Sequence, residues 1–278
     1  MPHRTALHAH ASHAVAATVD RRADHGPFDV VGDVHGCYDE LRDLLDRLGY
    51  RVTEAGDGRV SVGSDRGRCL VLLGDLVDRG PKVVPTLRLA MGLARGGCGH
   101  VVGGNHDDRL RRHLLGRPVA MTHGLAESVE QLDDEPPAFR ETTLRFLERL
   151  PHHLLLDGGA LLVAHAGLPE AYHGRDDRDA RRLATFGEWT GENDEFGHPI
   201  RVPWADTYRG EPFVVYGHTP VALPVWTANT VDIDTGCVFG GELTALRWPE
   251  RETVSVPARA VYDAHGRIRP VAVAVPGE

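Results

Sequence analysis

One pattern recurs five times along this chain of 278 residues: a short apolar run, then a turn that carries glycine beside Asp, Asn or His. The turns follow Val31, Leu73, Val102, Val163 and Tyr216. Short apolar runs bounded by glycine are typical of buried strands. Because ligands bind where the carboxyl ends of strands gather at one edge of an α/β sheet, we expect the turns to converge. The pattern therefore predicts an α/β fold with one polar site.

The turns pool carboxylates, imidazoles, one amide and one guanidinium: Asp33, His35, Asp75, Asp78, Arg79, Asn105, His106, His165 and His218. Carboxylate, imidazole and amide ligands without thiolate suit Mn, Fe, Ni or Zn. The set is large enough for two ions about 3.5–4 Å apart that share one carboxylate. Such a pair would lower the pKa of a bridging water and neutralise the charge of a phosphoryl oxygen. The alternative is that these residues only cap strands and helices, as Asp and Asn often do. Capping does not explain histidine at four of the five turns.

Lysine usage excludes two classes of nucleotide enzyme. Lys82 is the only lysine and lies between Pro81 and Val83. The chain therefore lacks the Gly-Lys-Ser/Thr of a P-loop kinase and the Lys-x-Asp-Gly setting of a nucleotidyl transferase.

Charge and cysteine spacing indicate a cytoplasmic protein. The net charge of -9 argues against broad, non-specific nucleic-acid binding. The four cysteines, Cys37, Cys69, Cys98 and Cys237, are scattered, which argues against a disulfide framework. We see no secretion signal, and no apolar run approaches the ~20 residues of a membrane span.

We expect one domain over residues 28–258. Residues 1–27 hold five histidines among alanines and predict a disordered tail, with metal delivery as the alternative. Residues 259–278 form a C-terminal extension. Helices are predicted over Leu41 to Leu48, ended by Gly49, and from near Pro81 to Gly96, whereas residues 170–212 predict an excursion of loops and helix.

The motifs GDVHG, GDLVDRG, GNHD, HAG and GHT, in this order over most of residues 28–241, resemble the calcineurin-like metallophosphatases of the phosphoprotein-phosphatase type. The resemblance implies a mixed β-sandwich flanked by helices, with two divalent transition metal ions. Mn²⁺ is expected first, with Ni²⁺, Fe or Zn²⁺ as alternatives.

The resemblance also implies a role for each motif residue. Asp33 and His35 would hold the first metal, Asp75 would bridge, and Asn105, His165 and His218 would hold the second. Arg79 would clamp the phosphate, while His106 would be the general acid, oriented by Asp78. Protein phosphatases usually have glutamate where this chain has Asp107. This difference weakens the case for a protein phosphatase.

Residues 121–128, 190–197 and 232–241 resemble the phosphatase module of bacterial polynucleotide kinase-phosphatases, which removes 3′-terminal and 2′,3′-cyclic phosphates during RNA repair. In that module an aspartate matching Asp234 belongs to the active site. The alternative is that Asp234 only starts a turn before Gly236. The stretch DTGCVFGG also resembles the symmetrical dinucleoside tetraphosphate hydrolases.

The main hypothesis is therefore a dinuclear metal-dependent phosphoesterase acting on nucleotides or RNA 3′ ends through a metal-bridged hydroxide. The alternatives are a symmetrical dinucleoside tetraphosphate hydrolase, a protein serine/threonine phosphatase, and a metal-binding module that has lost catalysis. A second phosphate-contacting arginine is expected among four candidates: Arg175, Arg178, Arg181 and Arg182.

Overall fold

A computed structural model of the protein describes residues 18–56, 58–97, 99–195 and 199–269. The strands are β1 (Phe28–Val31), β2 (Tyr50–Glu54), β3 (Val60–Ser64), β4 (Cys69–Leu72), β5 (Gly99–Val101), β6 (His153–Leu156), β7 (Leu161–Ala164), β8 (Trp189–Asn193), β9 (Pro199–Arg201), β10 (Phe213–Tyr216), β11 (Val225–Thr227), β12 (Thr230–Asp232), β13 (Glu242–Trp248) and β14 (Glu252–Pro257). The helices are α1 (Tyr38–Leu48), α2 (Val83–Arg95), α3 (Asn105–Leu114), α4 (Leu125–Asp133), α5 (Pro137–Leu147), α6 (Arg178–Phe186) and the short α7 (Trp204–Thr207).

Two five-stranded sheets form the centre of the fold, with strand orders β14-β13-β1-β4-β5 and β11-β12-β10-β7-β6. Each sheet contains three parallel strands: β1, β4 and β5 in the first, and β7, β10 and β12 in the second. The remaining pairings within the two sheets are antiparallel. The expected α/β class and mixed β-sandwich are confirmed.

Alternating side chains along the strands divide the core into layers, as expected for strands buried on both faces. Phe28 and Val30 of β1 point between the sheets, where they pack with residues of the second sheet such as Phe213. Val31 points the other way and packs against α1 and α2. On the far side, Val214 of β10 packs against α6. Helices therefore cover the outer faces of both sheets.

The chain that precedes β1 is ordered where the structure describes it. Val19 is buried; its carbonyl accepts the N–H of Leu155 in β6 at 3.0 Å, and the N–H of Arg21 donates to the Leu155 carbonyl at 2.9 Å. The prediction of a disordered tail is therefore wrong for residues 18–27, which extend the edge of the second sheet. Residues 1–17 lie outside the described residues.

Some other expectations also need correction. Residues 170–212 include, besides helices, the hairpin β8–β9, which was not predicted. Cys37 and Cys237 are free and buried, but Cys69 is disulfide-bonded, so the expectation of unpaired cysteines is wrong there. Gly49 ends α1 as predicted, with a φ of 86°. Within the described ranges, no helix has the length and apolarity needed to cross a bilayer.

A buried ion pair ties the strands together at the end of the sandwich opposite the motif turns. Arg68 Nε donates to Asp29 Oδ1 at 2.9 Å, and its Nη2 donates to the carbonyls of Phe28 and Trp248. Both side chains are almost fully buried, with 4% and 0% exposure. Removing one partner of such a pair leaves an uncompensated charge in the interior.

We expect Arg68→Ala to lower the free energy of unfolding by about 3–5 kcal/mol, because Asp29 would lose its closest cation and keep only the more distant Arg247, at 3.5 Å, and the Tyr50 hydroxyl. Urea titration followed by circular dichroism measures the change. Arg51→Ala is the matched control, since the Arg51–Asp65 pair is exposed and such pairs contribute about 0–1 kcal/mol. Equal losses in the two variants would contradict a structural role for the buried pair.

Candidate active site

The predicted site residues lie at the carboxyl ends of the six parallel strands, where the two sheets meet. Backbone hydrogen bonds join the turns pairwise: His35 N–H donates to the Asp75 carbonyl at 2.7 Å, and Gly217 N–H donates to the His165 carbonyl at 2.9 Å. The turns therefore form one connected framework.

Five of the predicted residues have a left-handed backbone: His35 (φ 44°), Asp75 (44°), Asp78 (71°), Arg79 (69°) and His218 (73°). This conformation costs about 1–3 kcal/mol in residues other than glycine and concentrates at functional sites. Glycines allow the close approach of the turns. A Cβ at Gly104 would lie 2.1 Å from Asp75 Oδ1, and one at Gly217 would lie 2.4 Å from Asp33 Oδ1.

Asp75 lies between two groups of metal-ligating atoms. Its Oδ2 is 3.4 Å from His35 Nε2 and 3.5 Å from His165 Nε2. Its Oδ1 accepts a hydrogen bond from the backbone N–H of His106 at 2.9 Å. The carboxylate is thus fixed in the position that a bridging ligand needs.

The second group of donors converges closely. Asn105 Oδ1 is 2.8 Å from His218 Nδ1 and 3.0 Å from His165 Nε2, and the two imidazole nitrogens are 3.1 Å apart. These spacings match the edges of a coordination shell with metal–ligand bonds of about 2.0–2.2 Å. The donors therefore fit a bound metal ion.

His35 and Asp33 are the residues predicted to hold the first metal ion. His35 Nδ1 lies 2.8 Å from the Val77 carbonyl; a proton on Nδ1 would be donated there, which leaves the Nε2 lone pair for a ligand. The Asp33 carboxylate lies beside residues of the second group: it is 3.9 Å from His165 Nδ1 and accepts the backbone N–H of His218 at 3.2 Å. The six predicted metal ligands therefore surround one centre.

Electrostatics favour a cation at this centre. Burial raises the pKa of Asp33 well above its usual range, and the charges of Asp234 and Asp75 raise it further. Burial also raises the pKa values of Asp75 and Asp234 to about 7. It lowers the pKa of His165 to about 3, so this imidazole is neutral. Crowded carboxylates beside neutral imidazoles are stabilised by a bound cation.

His106 belongs to a hydrogen-bonded relay beside the metal ligands. Its Nδ1 lies 2.6 Å from Asp78 Oδ2, and Ser128 Oγ donates to Asp78 Oδ1 at 2.7 Å while accepting the Asp78 backbone N–H. Burial, followed by the Arg79 charge, lowers the pKa of His106. Asp78 can hold the His106 imidazole through Nδ1, which leaves Nε2 available to a substrate. Ser128 lies in a stretch that the motif comparison singled out, but its contact with Asp78 was not predicted.

Arg79 reaches into the centre from the same turn as Asp78. Its Nη1 is 2.8 Å from His35 Nε2, its Nε pairs with Asp263 at 3.4 Å, and the guanidinium lies 5.2 Å from the Phe239 ring centroid. This position suits an anion that bridges the guanidinium and the metal ligands.

Asp234 has the contacts of a turn residue and also lies close to the predicted metal ligands. Its Oδ1 accepts the Gly236 backbone N–H at 3.1 Å, as a turn residue would. Its carboxylate is also buried close enough to Asp33 to raise the pKa of that group. The structure therefore brings all ten predicted site residues together.

The site opens into a cleft of about 540 Å³ whose walls also contain residues that were not predicted: Arg109, His123, Asp194, Arg201, Asp263, Arg267 and Arg269. Arg109 follows His106 by three residues on α3, so helical spacing was a usable signal. His123 and Asp194 lie in the family-like stretches 121–128 and 190–197, and Arg201 ends β9. Asp263, Arg267 and Arg269 come from the C-terminal extension, where no periodic pattern identifies them.

The expected second arginine is not where it was predicted. Arg175 and Arg181 pair with Asp177 and Asp176 on the surface. Neither they nor Arg178 and Arg182 are among the described residues that line the cleft. Arg109 and Arg201 occupy its walls instead.

Asp107 acts through the backbone. Its two carboxylate oxygens accept the N–H groups of Leu76 and Gly104 at 3.0 and 2.9 Å, which ties the second motif turn to the third. Asp107 thus links the two turns.

Comparison with known proteins agrees with this geometry. Residues 26–222 match the family model described as calcineurin-like phosphoesterase. The chain belongs to the calcineurin-like phosphoesterase family. It is therefore a hydrolase of phosphate esters in a family that uses divalent metal ions.

Curated relatives cover nearly the same length. A protein of Anoxybacillus flavithermus named asymmetrical bis(5′-nucleosyl)-tetraphosphatase PrpE is 42% identical over 87% of this chain and 98% of its own. Its namesake from Bacillus subtilis is 42% identical over 88% and 99%. A solved structure provisionally named a diadenosine tetraphosphatase has a TM-score of 0.64 at 28% identity, covering 87% of this chain and 98% of its own. A yeast protein serine/threonine phosphatase, at 15% identity and a TM-score of 0.57 over 88% and 84%, shares the fold.

Metal binding should release protons near neutral pH. Because burial raises the pKa of Asp75 to about 7, a cation that binds its carboxylate must displace a proton at and below that pH. We expect Mn²⁺ affinity to fall from about pH 8 to about pH 6, by up to about tenfold per pH unit for each proton released. Isothermal titration calorimetry in buffers of different ionisation enthalpy measures both the Mn²⁺ affinity and the number of protons released. Constant affinity without proton release would contradict the prediction.

Proposed function

We propose that this enzyme hydrolyses dinucleoside tetraphosphates asymmetrically, giving a nucleoside triphosphate and a nucleoside monophosphate. The observation that carries the proposal is the charge of the cleft. Five arginines line the cavity that also includes four of the six predicted metal ligands: Arg79, Arg109, Arg201, Arg267 and Arg269. A bridge of four phosphates places more negative charge in this cavity than a single phosphate ester does. The names of the curated relatives support the same substrate.

The donor geometry supports two metal positions that share Asp75. Asp33 and His35 would complete one, and Asn105, His165 and His218 the other. Bound divalent ions supply Lewis-acid polarisation of the phosphoryl group and lower the pKa of water. Mn²⁺ is the ion that we propose for the native enzyme.

The surrounding residues bind the substrate and supply a proton. Arg79 presents a planar fork of donors to the oxygens of the reacting phosphate. His106, held by Asp78 through Nδ1, would act as an imidazolium and give its Nε2 proton to the leaving oxygen. A polyphosphate leaving group needs this proton less than an alkoxide does, because its oxygen is far less basic.

RNA 3′ ends and 2′,3′-cyclic phosphates are the second candidate substrates. The stretches that resemble the polynucleotide phosphatase module contribute His123 and Asp194 to the cleft wall. Those residues are placed to contact a substrate beyond its reacting phosphate.

A substrate panel with Mn²⁺ tests the proposal. It contains diadenosine tetraphosphate, a 3′-phosphorylated oligonucleotide, 2′,3′-cyclic AMP, a phosphopeptide and p-nitrophenyl phosphate. We expect the highest kcat/KM for the tetraphosphate, with ATP and AMP as products on ion-exchange chromatography. Two ADP molecules would indicate symmetrical cleavage, and preference for the oligonucleotide or cyclic AMP would favour the RNA-end function. No turnover of any substrate would indicate a module that has lost catalysis.

Two variants separate metal binding from proton donation. Asp75→Ala should lose both turnover and bound metal, since its carboxylate faces both donor groups. His106→Ala should retain metal and lose about 10²–10⁴-fold in kcat on an alkyl phosphate, with a smaller loss on p-nitrophenyl phosphate. Metal content by mass spectrometry and kcat on both substrates are the measurements. Loss of metal from His106→Ala would contradict its assignment as the acid.

A further inference from the structure

Arg201 and Arg269 come from distant parts of the chain and meet beside the fifth motif turn. Arg201 ends β9, whereas Arg269 lies in the C-terminal extension. The backbone N–H of Arg269 donates to the Pro220 carbonyl at 2.8 Å, and its carbonyl accepts the Ala222 N–H at 3.0 Å. These bonds fix Arg269 next to the turn that carries His218.

The two guanidinium groups are neighbours of like charge. The pKa of Arg201 is lowered by burial and then by the charge of Arg269. Over the ranges that the structure describes, neither guanidinium makes an ion pair or a side-chain hydrogen bond. Arg201 is also half-buried, so solvent screens its charge only in part. An anion bound between the two groups would remove the repulsion and satisfy their donors.

The pair lies where two cavities meet. Both arginines line the catalytic cleft of about 540 Å³ and a neighbouring cavity of about 240 Å³. His218 and Thr219 also line both. The walls of the smaller cavity include Trp204 and Tyr216, whose ring centroids are 5.1 Å apart. The two arginines therefore border both cavities, beside the predicted metal ligand His218.

We propose that Arg201 and Arg269 form a subsite for a non-reacting phosphate of a polyphosphate chain whose reacting phosphate lies at the metal centre. The inference rests on the proposed function and narrows it to substrates with at least two linked phosphates. Arg79 differs from this pair because it contacts His35 within the centre itself. The subsite directs the rest of the chain toward the aromatic cavity.

Inorganic tripolyphosphate is the probe, because it contains linked phosphates and no nucleoside. Its inhibition constant against p-nitrophenyl phosphate hydrolysis is measured at fixed free Mn²⁺ for the wild type, Arg201→Gln, Arg269→Gln and the double variant. Arg181→Gln is the control, since this arginine is exposed and pairs with Asp176 away from the cleft. KM and kcat for diadenosine tetraphosphate are measured in parallel.

For each variant, the tripolyphosphate inhibition constant is divided by that variant's KM for p-nitrophenyl phosphate. We expect each single variant to raise this ratio about tenfold, because charge-assisted hydrogen bonds are lost. The KM for the tetraphosphate should rise by a similar factor with a much smaller change in kcat. Arg201→Lys should recover part of the affinity, since it restores the charge, and it also covers the case in which Arg201→Gln folds poorly. Arg181→Gln should match the wild type.

Equal increases in the tripolyphosphate constant and in the KM for p-nitrophenyl phosphate would overturn the subsite, because the arginines would then bind the reacting phosphate. An unchanged tripolyphosphate constant would overturn it as well. If tripolyphosphate binding depends on the arginines but the wild type does not cleave the tetraphosphate, the subsite stands and the proposed function fails.

Discussion

Burial of carboxylates around Asp75 is the constraint on which the rest of the structure depends. Asp33, Asp75 and Asp234 are all at most 4% exposed; after burial itself, Asp234 and Asp75 raise the pKa of Asp33, and Asp75 raises that of Asp234. Such burial is unfavourable unless a cation compensates it. The fold brings these groups together through strained left-handed turns. It also uses glycines at positions where a Cβ atom would collide with a neighbouring residue. The energy for this assembly comes from the apolar core between and around the sheets.

The core and the site are coupled because each motif turn directly follows a buried strand. Val30 and Val215 point between the sheets only a few residues before Asp33 and His218. Metal-ligand distances tolerate errors of only about 0.2 Å. A cavity between the sheets would therefore affect the donor geometry as well as stability, and the carbonyl of the core residue Val77 contacts the ligand candidate His35 directly.

The chemistry was predictable from sequence because it is local. Each ligand stands within a few residues of an apolar strand, so strand identification and α/β geometry were enough to group them. The weaker predictions concern long-range pairing. The strand at His153 was missed because its edge position is defined by contact with Val19 and with β7. The hairpin β8–β9 is mostly exposed and polar, so it lacks the apolar alternation that identifies a strand.

The walls of the cleft also depend on such long-range contacts. Asp263 and Arg269 reach the cleft only because the chain after β14 returns to the fifth motif turn. There Asp263 partly neutralises Arg79, whereas Arg269 adds charge beside Arg201. The extension therefore places an acidic group beside the metal ligands and a basic group at the border of the second cavity. In the proposed subsite a polyphosphate chain would span both regions, whereas a single phosphate ester would occupy only the first.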